Sequence, residues 1–272
     1  VMRLKFLGTA AAEGWPALFC QCDSCAKARA NGGKNIRTRS SSLIDDSYMI
    51  DFSADTYMHV LYENIDLTKV EHLFITHSHE DHFYPEDLML RRPPYAHLNV
   101  PSRLTIYGNS STKALYDAVN AEDADDVLEF KEIVAYNSFK AGDAIVTPLL
   151  ANHIPDEDCF IYLIELNGKK LLYGHDSGYF PEATWDALKG HVLDAVTLDC
   201  TMGPESCERY HMGFPQNIRV KDRLIAQGNA DANTIFIINH FSHNGGLLHD
   251  ELVKMAKPHG FQVSYDGMEV QI

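Results

Sequence analysis

The sequence predicts an α/β protein in which two mixed β-sheets pack together and helices cover their outer faces. Apolar runs of strand length alternate with segments of helical period in both halves of the 272-residue chain. Asn167–Gly168 and Asp266–Gly267 are dipeptides typical of tight hairpin turns, so some neighbouring strands should pair antiparallel. Nothing resembles a flexible linker, and we therefore expect a single domain over residues 1–272.

In the first half, apolar runs bounded by turn residues predict strands at 2–8, 41–45, 48–52, 70–76 and 104–108. Residues 54–64 and 111–119 have helical period, and the second of these segments starts with the Ser and Thr residues that are common at helix N-termini. Prolines interrupt 83–103 and argue against a long element there.

The second half repeats this alternation of strands and helices. Hairpins are predicted around Asn167–Gly168 and around Asp266–Gly267, over 159–176 and 261–272. The other predicted elements are strands at 128–136, 144–153, 194–201 and 233–240, and helices at 181–190, 215–228 and 247–260.

The chain is acidic, with a formal net charge of -15. This charge repels polyanions at long range, which disfavours extended nucleic acid as a partner unless positive charge is concentrated locally. A small anionic substrate is compatible with it, because bound divalent metals would dominate the charge of a cleft. No apolar run is long enough to cross a bilayer and the first residues lack a signal-peptide pattern, so we expect a cytoplasmic protein without a membrane partner.

Four potential metal ligands follow the predicted strand 70–76. His77 and His79 point to the same side of an extended chain, and Asp81 and His82 come where the chain must turn. Loop histidines and acids are often merely solvated, but four potential ligands so close together after a buried strand favour a metal site.

Three further strands end in a potential ligand, namely His153, Asp176 and His240. Each residue alone would be an ordinary strand-end or surface residue. Because the ends of neighbouring strands gather along one edge of a sheet, these residues and the first four could together hold two metals that share one carboxylate.

The cysteines indicate a second kind of site. Six cysteines in a chain expected in the cytoplasm suggest metal binding or free thiols before disulfides. Cys20, Cys22 and Cys25 form a C-x-C-x-x-C motif, and one histidine would complete a tetrahedral structural zinc site. The alternative is a loop of three reduced thiols. The other three cysteines show no motif.

The segment THSHEDH at 76–82 resembles the T-H-x-H-x-D-H signature of metallo-β-lactamase-fold hydrolases, and the later His, Asp and His follow in that fold's order. The resemblance covers essentially the whole chain. It implies an αβ/βα sandwich with two divalent metals at the edge between the sheets. By this resemblance the ligands are His77, His79 and His153 for one metal, Asp81, His82 and His240 for the other, and Asp176 as the bridge.

The N-terminal region is similar to the carbon–phosphorus lyase pathway phosphodiesterase (PhnP-like) family, through G-T, a Gly/Pro loop, C-x-C-x-x-C and R-x-R-x-S. The resemblance implies that His243 completes the zinc site with the three cysteines. It also implies that His211 lies at the substrate, where it would donate a proton to the leaving oxygen or hold a phosphoryl oxygen. Asp51 matches the acid that orients the site from behind the ligands. A capping or surface role is the alternative for His211, and a strand-end role for Asp51.

These assignments predict a metal-dependent phosphodiesterase that hydrolyses a small, cyclic ribosyl or nucleoside, phosphodiester with a hydroxide that bridges two metals. Asp81, Asp176 and His211 are the expected catalytic residues. Imidazole and carboxylate ligands suit Zn, Mn or Fe, so the identity of the two metals stays open. Relatives suggest a homodimer.

Alternative functions on the same scaffold are hydrolysis of a lactone, a thioester or a β-lactam, because the fold does not fix the bond that is cleaved. A nuclease that trims transfer RNA would need a basic protruding arm, which this acidic sequence lacks. A branch of quinone-cofactor biosynthesis shares the cysteine cluster but departs in its active-site ligands, all of which this chain keeps.

The chain departs from the family in a Gly-poor loop at 9–16 and in Glu80, which stands where a small residue is common.

Overall fold

The structure is a computed structural model that describes residues 1–99, 102–120 and 126–272. All named strands within these residues belong to two β-sheets. Across the first sheet the strands are β14 (Glu269–Gln271), β1 (Arg3–Gly8), β2 (Ser41–Ile44), β3 (Tyr48–Ile50), β4 (His72–Phe74), β5 (Leu104–Gly108) and β6 (Leu128–Glu132). Across the second sheet they are β13 (Phe261–Val263), β12 (Ile235–Asn239), β11 (Ala195–Asp199), β10 (Lys169–Gly174), β9 (Phe160–Leu166), β8 (Ala144–Leu150) and β7 (Phe139–Ala141).

Each sheet combines a parallel part with an antiparallel part. In the first sheet β3, β4, β5 and β6 run parallel, and β14, β1, β2 and β3 pair antiparallel. In the second sheet β10, β11, β12 and β13 run parallel, and β7, β8, β9 and β10 pair antiparallel. Both sheets are therefore mixed, as the sequence predicts.

Helices flank the sheets. They are α1 (Asp23–Asn31), α2 (Thr56–Glu63), α3 (Ser110–Val119), α4 (Glu182–Leu188), α5 (Phe214–Ala226) and α6 (His249–Ala256), together with a 3₁₀ helix at Pro85–Arg91. The Asn109 side chain caps α3 by accepting a hydrogen bond from the backbone N–H of Thr112. Within the described residues, no helix combines the length and the apolar character that crossing a membrane requires.

The core lies in three layers. Phe6, Phe74 and Tyr162 are fully buried and belong to the cluster between the two sheets. Trp185 of α4 and Leu224 of α5 pack on the outer face of the second sheet, and a third cluster lies under α2, α3 and the 3₁₀ helix. Burying these apolar side chains from water is the main force that holds the layers together. The architecture is the αβ/βα sandwich of the metallo-β-lactamase fold, as predicted.

The predicted hairpin around Asn167–Gly168 is present and joins β9 to β10. Both turn residues have positive φ, 54° and 74°, as a type I′ turn requires.

The hairpin predicted around Asp266–Gly267 is wrong. A tight turn does form, since the N–H of Met268 donates to the carbonyl of Tyr265. However, β13 pairs with β12 in the second sheet and β14 pairs with β1 in the first, so the turn carries the chain from one sheet to the other. The dipeptide determines the local turn, whereas the partner of each strand depends on tertiary packing.

Two other segments differ from the sequence prediction. The predicted strand 128–136 ends as β6 at Glu132, and β7 follows as a separate element. The cysteine segment, for which no helix was predicted, contains α1. This helix has almost no apolar stripe of helical period, and the cysteine motif at its start hides the usual N-terminal signal: the Cys22 sulfur accepts the capping hydrogen bond from the backbone N–H of Cys25.

Candidate metal centre

Site residues leave the strands of both sheets at one edge. Asp51 follows β3, Asp176 lies two residues after β10, and His240 follows β12. All three have a left-handed backbone, with φ of 61°, 51° and 59°. A non-glycine residue adopts this conformation at a cost of about 1–3 kcal/mol, and such residues cluster at functional sites. Here the strained residues turn the chain sharply where each strand ends.

The first group of potential ligands contains His77, His79, His153 and Asp176, whose ligand atoms all lie within 4.8 Å of one another. His77 Nε2 is 3.0 Å from His79 Nδ1, and His153 Nε2 is 3.2 Å from the same atom. His77 Nε2 also lies 3.2 Å from Asp176 Oδ2. His79 is the exposed member of this group, and the other three are buried.

The second group contains Asp81, His82, Asp176 and His240, all buried, and its ligand atoms also lie within 4.8 Å of one another. His82 Nε2 is 3.0 Å from Asp176 Oδ2 and 3.2 Å from Asp81 Oδ2. His240 Nε2 is 3.3 Å from His82 Nε2. Asp176 Oδ2 therefore faces both groups, and the structure brings together all seven residues that the sequence singled out.

The outer nitrogen of each buried histidine contacts an oxygen. His82 Nδ1 lies 2.7 Å from Asp51 Oδ2, and His153 Nδ1 lies 2.9 Å from the carbonyl oxygen of Tyr210. A ring N–H that donates outward leaves the lone pair of the other nitrogen pointing inward.

The same pattern holds for the remaining two buried histidines. His77 Nδ1 is 2.9 Å from Thr76 Oγ1, and His240 Nδ1 is 2.8 Å from Thr201 Oγ1. The buried rings are thus anchored on their outer side, and their inner nitrogens converge.

These convergent nitrogens fit divalent metal ions. The inner nitrogens of neighbouring rings lie 3.0 to 3.3 Å apart. Two nitrogens bound at about 2.1 Å to one tetrahedral ion lie about 3.4 Å apart, close to the observed spacing. Imidazole nitrogens with carboxylate oxygens suit Zn, Mn or Fe. The two groups are therefore capable of binding metal.

Burial and neighbouring charges divide the histidines into two kinds. Burial and the proximity of His82 lower the pKa of His77 to about 3, so His77 is neutral near pH 7. Burial also opposes the charged form of His82, but Asp81 and Asp51 outweigh it and raise the pKa of His82 well above its usual value. Burial opposes ionisation of Asp81, but His82 holds the pKa of this carboxyl below its usual value.

His211 lies beside the two groups. Its Nδ1 is 2.9 Å from Asp176 Oδ1 and 3.2 Å from Asp199 Oδ2, and its side chain is 29% exposed. Burial opposes the imidazolium, but the hydrogen bonds to these two carboxylates dominate and raise the pKa of His211 to about 11. The structure thus brings His211 to the site, three residues before the start of α5.

Asp199, the last residue of β11, belongs to the site and was missed in the sequence. It is fully buried and accepts hydrogen bonds from Thr201 and from the backbone N–H of Met212. Its Oδ2 also lies 3.4 Å from His240 Nδ1, so one carboxylate contacts both His211 and His240. The signal was available: an apolar strand ends in Asp199, as others end near Asp51 and Asp176.

The three cysteines and His243 form a separate group, with ligand atoms within 4.8 Å of one another. His243 Nδ1 lies 3.4 Å from the Cys22 sulfur and 3.6 Å from the Cys20 sulfur. The backbone N–H of Cys25 and the side chain of His243 lower the pKa of the Cys22 thiol to about 6, whereas burial raises the pKa of Cys25 to about 11. Three sulfurs and one imidazole are the donor set of a structural zinc site.

Comparisons with solved structures show the same fold. A structure described as a new diphosphatase from the PhnP family is 22% identical, with a TM-score of 0.78 over 100% of this chain and 98% of that chain. Zn²⁺-bound PqqB from Methylobacterium extorquens is 18% identical, with a TM-score of 0.70 over 99% and 100% of the two chains. The short form of human tRNase Z is 16% identical, with a TM-score of 0.67 over 99% of each chain.

The sequence comparisons identify the family. A search of curated proteins gives no significant match. Residues 49–228 match the family described as the β-lactamase superfamily domain, which is more than half of the chain and includes most of the site. The resemblance seen in THSHEDH is thereby confirmed, and the chain belongs to the β-lactamase superfamily domain family.

Proposed function

We propose that the protein is a metal-dependent phosphodiesterase that hydrolyses a small phosphodiester, with a cyclic ribosyl or nucleoside phosphate as the favoured substrate. One observation carries the proposal: the two potential metal sites share Asp176 Oδ2, while His211 contacts the other oxygen of the same carboxylate. A proton donor therefore stands next to a centre that two metals can occupy.

In the proposed site, the ligands are His77, His79 and His153 on one side, Asp81, His82 and His240 on the other, and Asp176 between them. When bound, a pair of divalent metals supplies a hydroxide at neutral pH and stabilises charge on phosphoryl oxygens. The protein must hold these ligands in place and keep their metal-binding atoms free of protons.

The side chains then have separate tasks. Asp81 is ionised and can accept a hydrogen bond from the attacking water. His211 carries a proton on Nδ1 toward Asp176 and Asp199, so its Nε2 is the atom that would give a proton to the leaving alkoxide oxygen. The substrate oxygen would thereby leave as a neutral hydroxyl.

The Cys20–Cys22–Cys25–His243 group is proposed to hold a structural zinc ion. A four-ligand site has no open position for substrate, so its role would be to fix the N-terminal loop beside the metal centre. That loop contacts the segment after β12 directly, because the N–H of Ala11 donates to the carbonyl of Phe241, next to His240.

One further observation favours phosphorus over other substrates, and another favours a small substrate. One structural relative is described as a diphosphatase and another as a tRNase, names that denote cleavage at phosphorus. The net charge of -15 argues for a small substrate and against extended nucleic acid, because a polyanion would be repelled. The homodimer implied by the family resemblance is part of the proposal, and the cytoplasmic location stays a prediction.

The test pairs metal analysis with a turnover screen on cyclic and acyclic phosphodiesters, a lactone, a thioester and a β-lactam. We expect three metals per chain, one of them resistant to chelation, and turnover of phosphodiesters alone. Asp176→Ala should abolish turnover and release the active-site metals, whereas Asp186→Ala, at an exposed acid, should change neither. Full activity and metal content in Asp176→Ala would overturn the scheme. Turnover of the lactone, thioester or β-lactam without phosphodiesterase activity would show that the substrate is not a phosphodiester.

A further inference from the structure

Glu157 ties together the two loops that supply the first group of ligands. It lies four residues after His153 in the loop between β8 and β9. Its Oε1 accepts a hydrogen bond of 2.9 Å from the backbone N–H of Ser78, and its Oε2 accepts one of 2.5 Å from the Ser78 hydroxyl. Ser78 stands between His77 and His79. One carboxylate thus holds the backbone from which both histidines extend.

Glu157 is itself held from a third direction. The Asn109 side-chain amide donates 2.7 Å to Glu157 Oε1 and 2.9 Å to the carbonyl oxygen of Asp158. Asn109 is 3% exposed, and its Oδ1 accepts the capping hydrogen bond of α3. The loop that carries Glu157 is therefore anchored to the N-terminus of α3, which is part of the packed structure.

The contact matters most for His79. The other three members of the first group are buried, whereas His79 is exposed. Its position depends on the backbone at Ser78, which Glu157 holds. The second group has a separate support, because Asp51 Oδ2 lies 2.7 Å from Nδ1 of His82.

We propose that Glu157 is a positioning residue that fixes the Ser78 backbone and thereby sets the metal affinity of the His77–His79–His153–Asp176 group much more than that of the other group. The proposal rests on the proposed metal centre but not on the substrate. Residues that hold metal ligands in place change metal affinity by about 10–100-fold when removed.

The test measures Co²⁺ affinity of the chelator-stripped full chain by calorimetric titration. We expect Glu157→Ala to weaken one of the two active-site ions by about 10–100-fold and to leave the other within about threefold. Asp156→Ala is the matched control, because Asp156 is exposed in the same loop and the substitution removes the same charge. Equal loss in the two variants, equal weakening of both ions, or unchanged affinity in Glu157→Ala would each overturn the proposal.

Two other variants separate positioning from charge and from folding. Glu157→Gln keeps one acceptor oxygen for Ser78 N–H and Asn109, so it should retain affinity within about threefold of the wild type. Affinity as low as in Glu157→Ala would show that the charge, and not the hydrogen bonds, matters. Ser78→Ala removes only the hydroxyl contact and should weaken the same ion mildly, with no added effect in the Glu157→Ala background. An additive effect would contradict the link between the two residues.

Turnover distinguishes this proposal from the proposed function. If the wild type binds two active-site ions but cleaves no phosphodiester, the substrate assignment fails and the Co²⁺ comparison still decides the role of Glu157. If the wild type does cleave phosphodiesters, kcat should fall in Glu157→Ala at limiting metal and recover as the metal concentration is raised. A fall in kcat that saturating metal does not restore would contradict a role through metal affinity.

Discussion

Asp51 Oδ2 lies 2.7 Å from His82 Nδ1, on the side of the imidazole that faces away from the candidate metal centre. The same carboxylate accepts hydrogen bonds from the backbone N–H and the hydroxyl of Thr76, the residue before His77. A single buried acid at the end of β3 therefore organises the start of the THSHEDH loop and the ring of its last histidine.

Replacing Asp51 with Asn should weaken the ion held by the Asp81–His82–Asp176–His240 group. Asn offers one acceptor oxygen where three donors converge, so the His82 ring loses part of its support. We expect about 10–100-fold lower affinity for that ion, measured by Co²⁺ titration. Asp186→Asn, at an exposed position, should leave affinity unchanged. Wild-type affinity in Asp51→Asn would show that the backbone alone holds His82.

Metal binding should release protons and strengthen as pH rises through neutrality. In the metal-free protein, burial opposes the charged forms of His82 and His240, but nearby carboxylates outweigh it and raise both pKa values. An arriving ion must displace these protons, so a higher pH favours binding. His77, with a pKa of about 3, contributes no proton near pH 7. Calorimetry at pH 7 in buffers of different ionisation enthalpy should give a net proton release, and proton uptake or affinity independent of pH would contradict the charge distribution.

His211→Asn should lower kcat about 10²–10⁴-fold on a phosphodiester with an alkoxide leaving group, because general acid catalysis typically contributes this much. Metal content should stay at the wild-type level, since the two ligand groups do not need His211. With a nitrophenolate leaving group, which needs no proton, the loss should be much smaller. An equal loss on both substrates would instead assign His211 to holding a phosphoryl oxygen.

The sequence predicted which residues form this site better than it predicted which strands pair with each other. The types of potential ligand and their positions after apolar strands are local features, so His77, Asp176 and His240 could be identified from the residues that precede them. The partner of a strand is not local: Asp266–Gly267 has the composition of a hairpin turn, yet its flanking strands join different sheets.

Supporting residues were also hard to predict. Asp199 resembles Asp51 in ending an apolar strand, but nothing in the sequence says that it contacts His211 and His240. Glu157 is one acid among several in a partly exposed loop, and its contact with Ser78 bridges 79 positions. The Tyr210 carbonyl that anchors His153 is a backbone group, which residue identity does not reveal.

Arg37→Met should destabilise the fold far more than Arg39→Met. Arg37 is 3% exposed, and its guanidinium donates 2.7 Å to Thr9 Oγ1 and 2.8 Å to the carbonyl oxygen of Ser264. It also lies 3.2 Å from Nδ1 of His249, whose pKa burial and Arg37 lower to about 4, so that this nitrogen accepts.

Methionine fills a similar volume but leaves these acceptors buried without a donor. Leaving a buried acceptor without a donor costs about 1–3 kcal/mol of the free energy of unfolding for each group. Arg39 makes a partly exposed ion pair with Asp55, and its loss should cost about 1 kcal/mol or less. Thermal unfolding of the zinc-loaded protein would measure the difference, at roughly 2–4 °C in Tm per kcal/mol. Equal stability of the two variants would mean that water or repacking satisfies the acceptors that Arg37 leaves behind. In that case Arg37 does not hold the N-terminal loop, the turn between the sheets and α6 together.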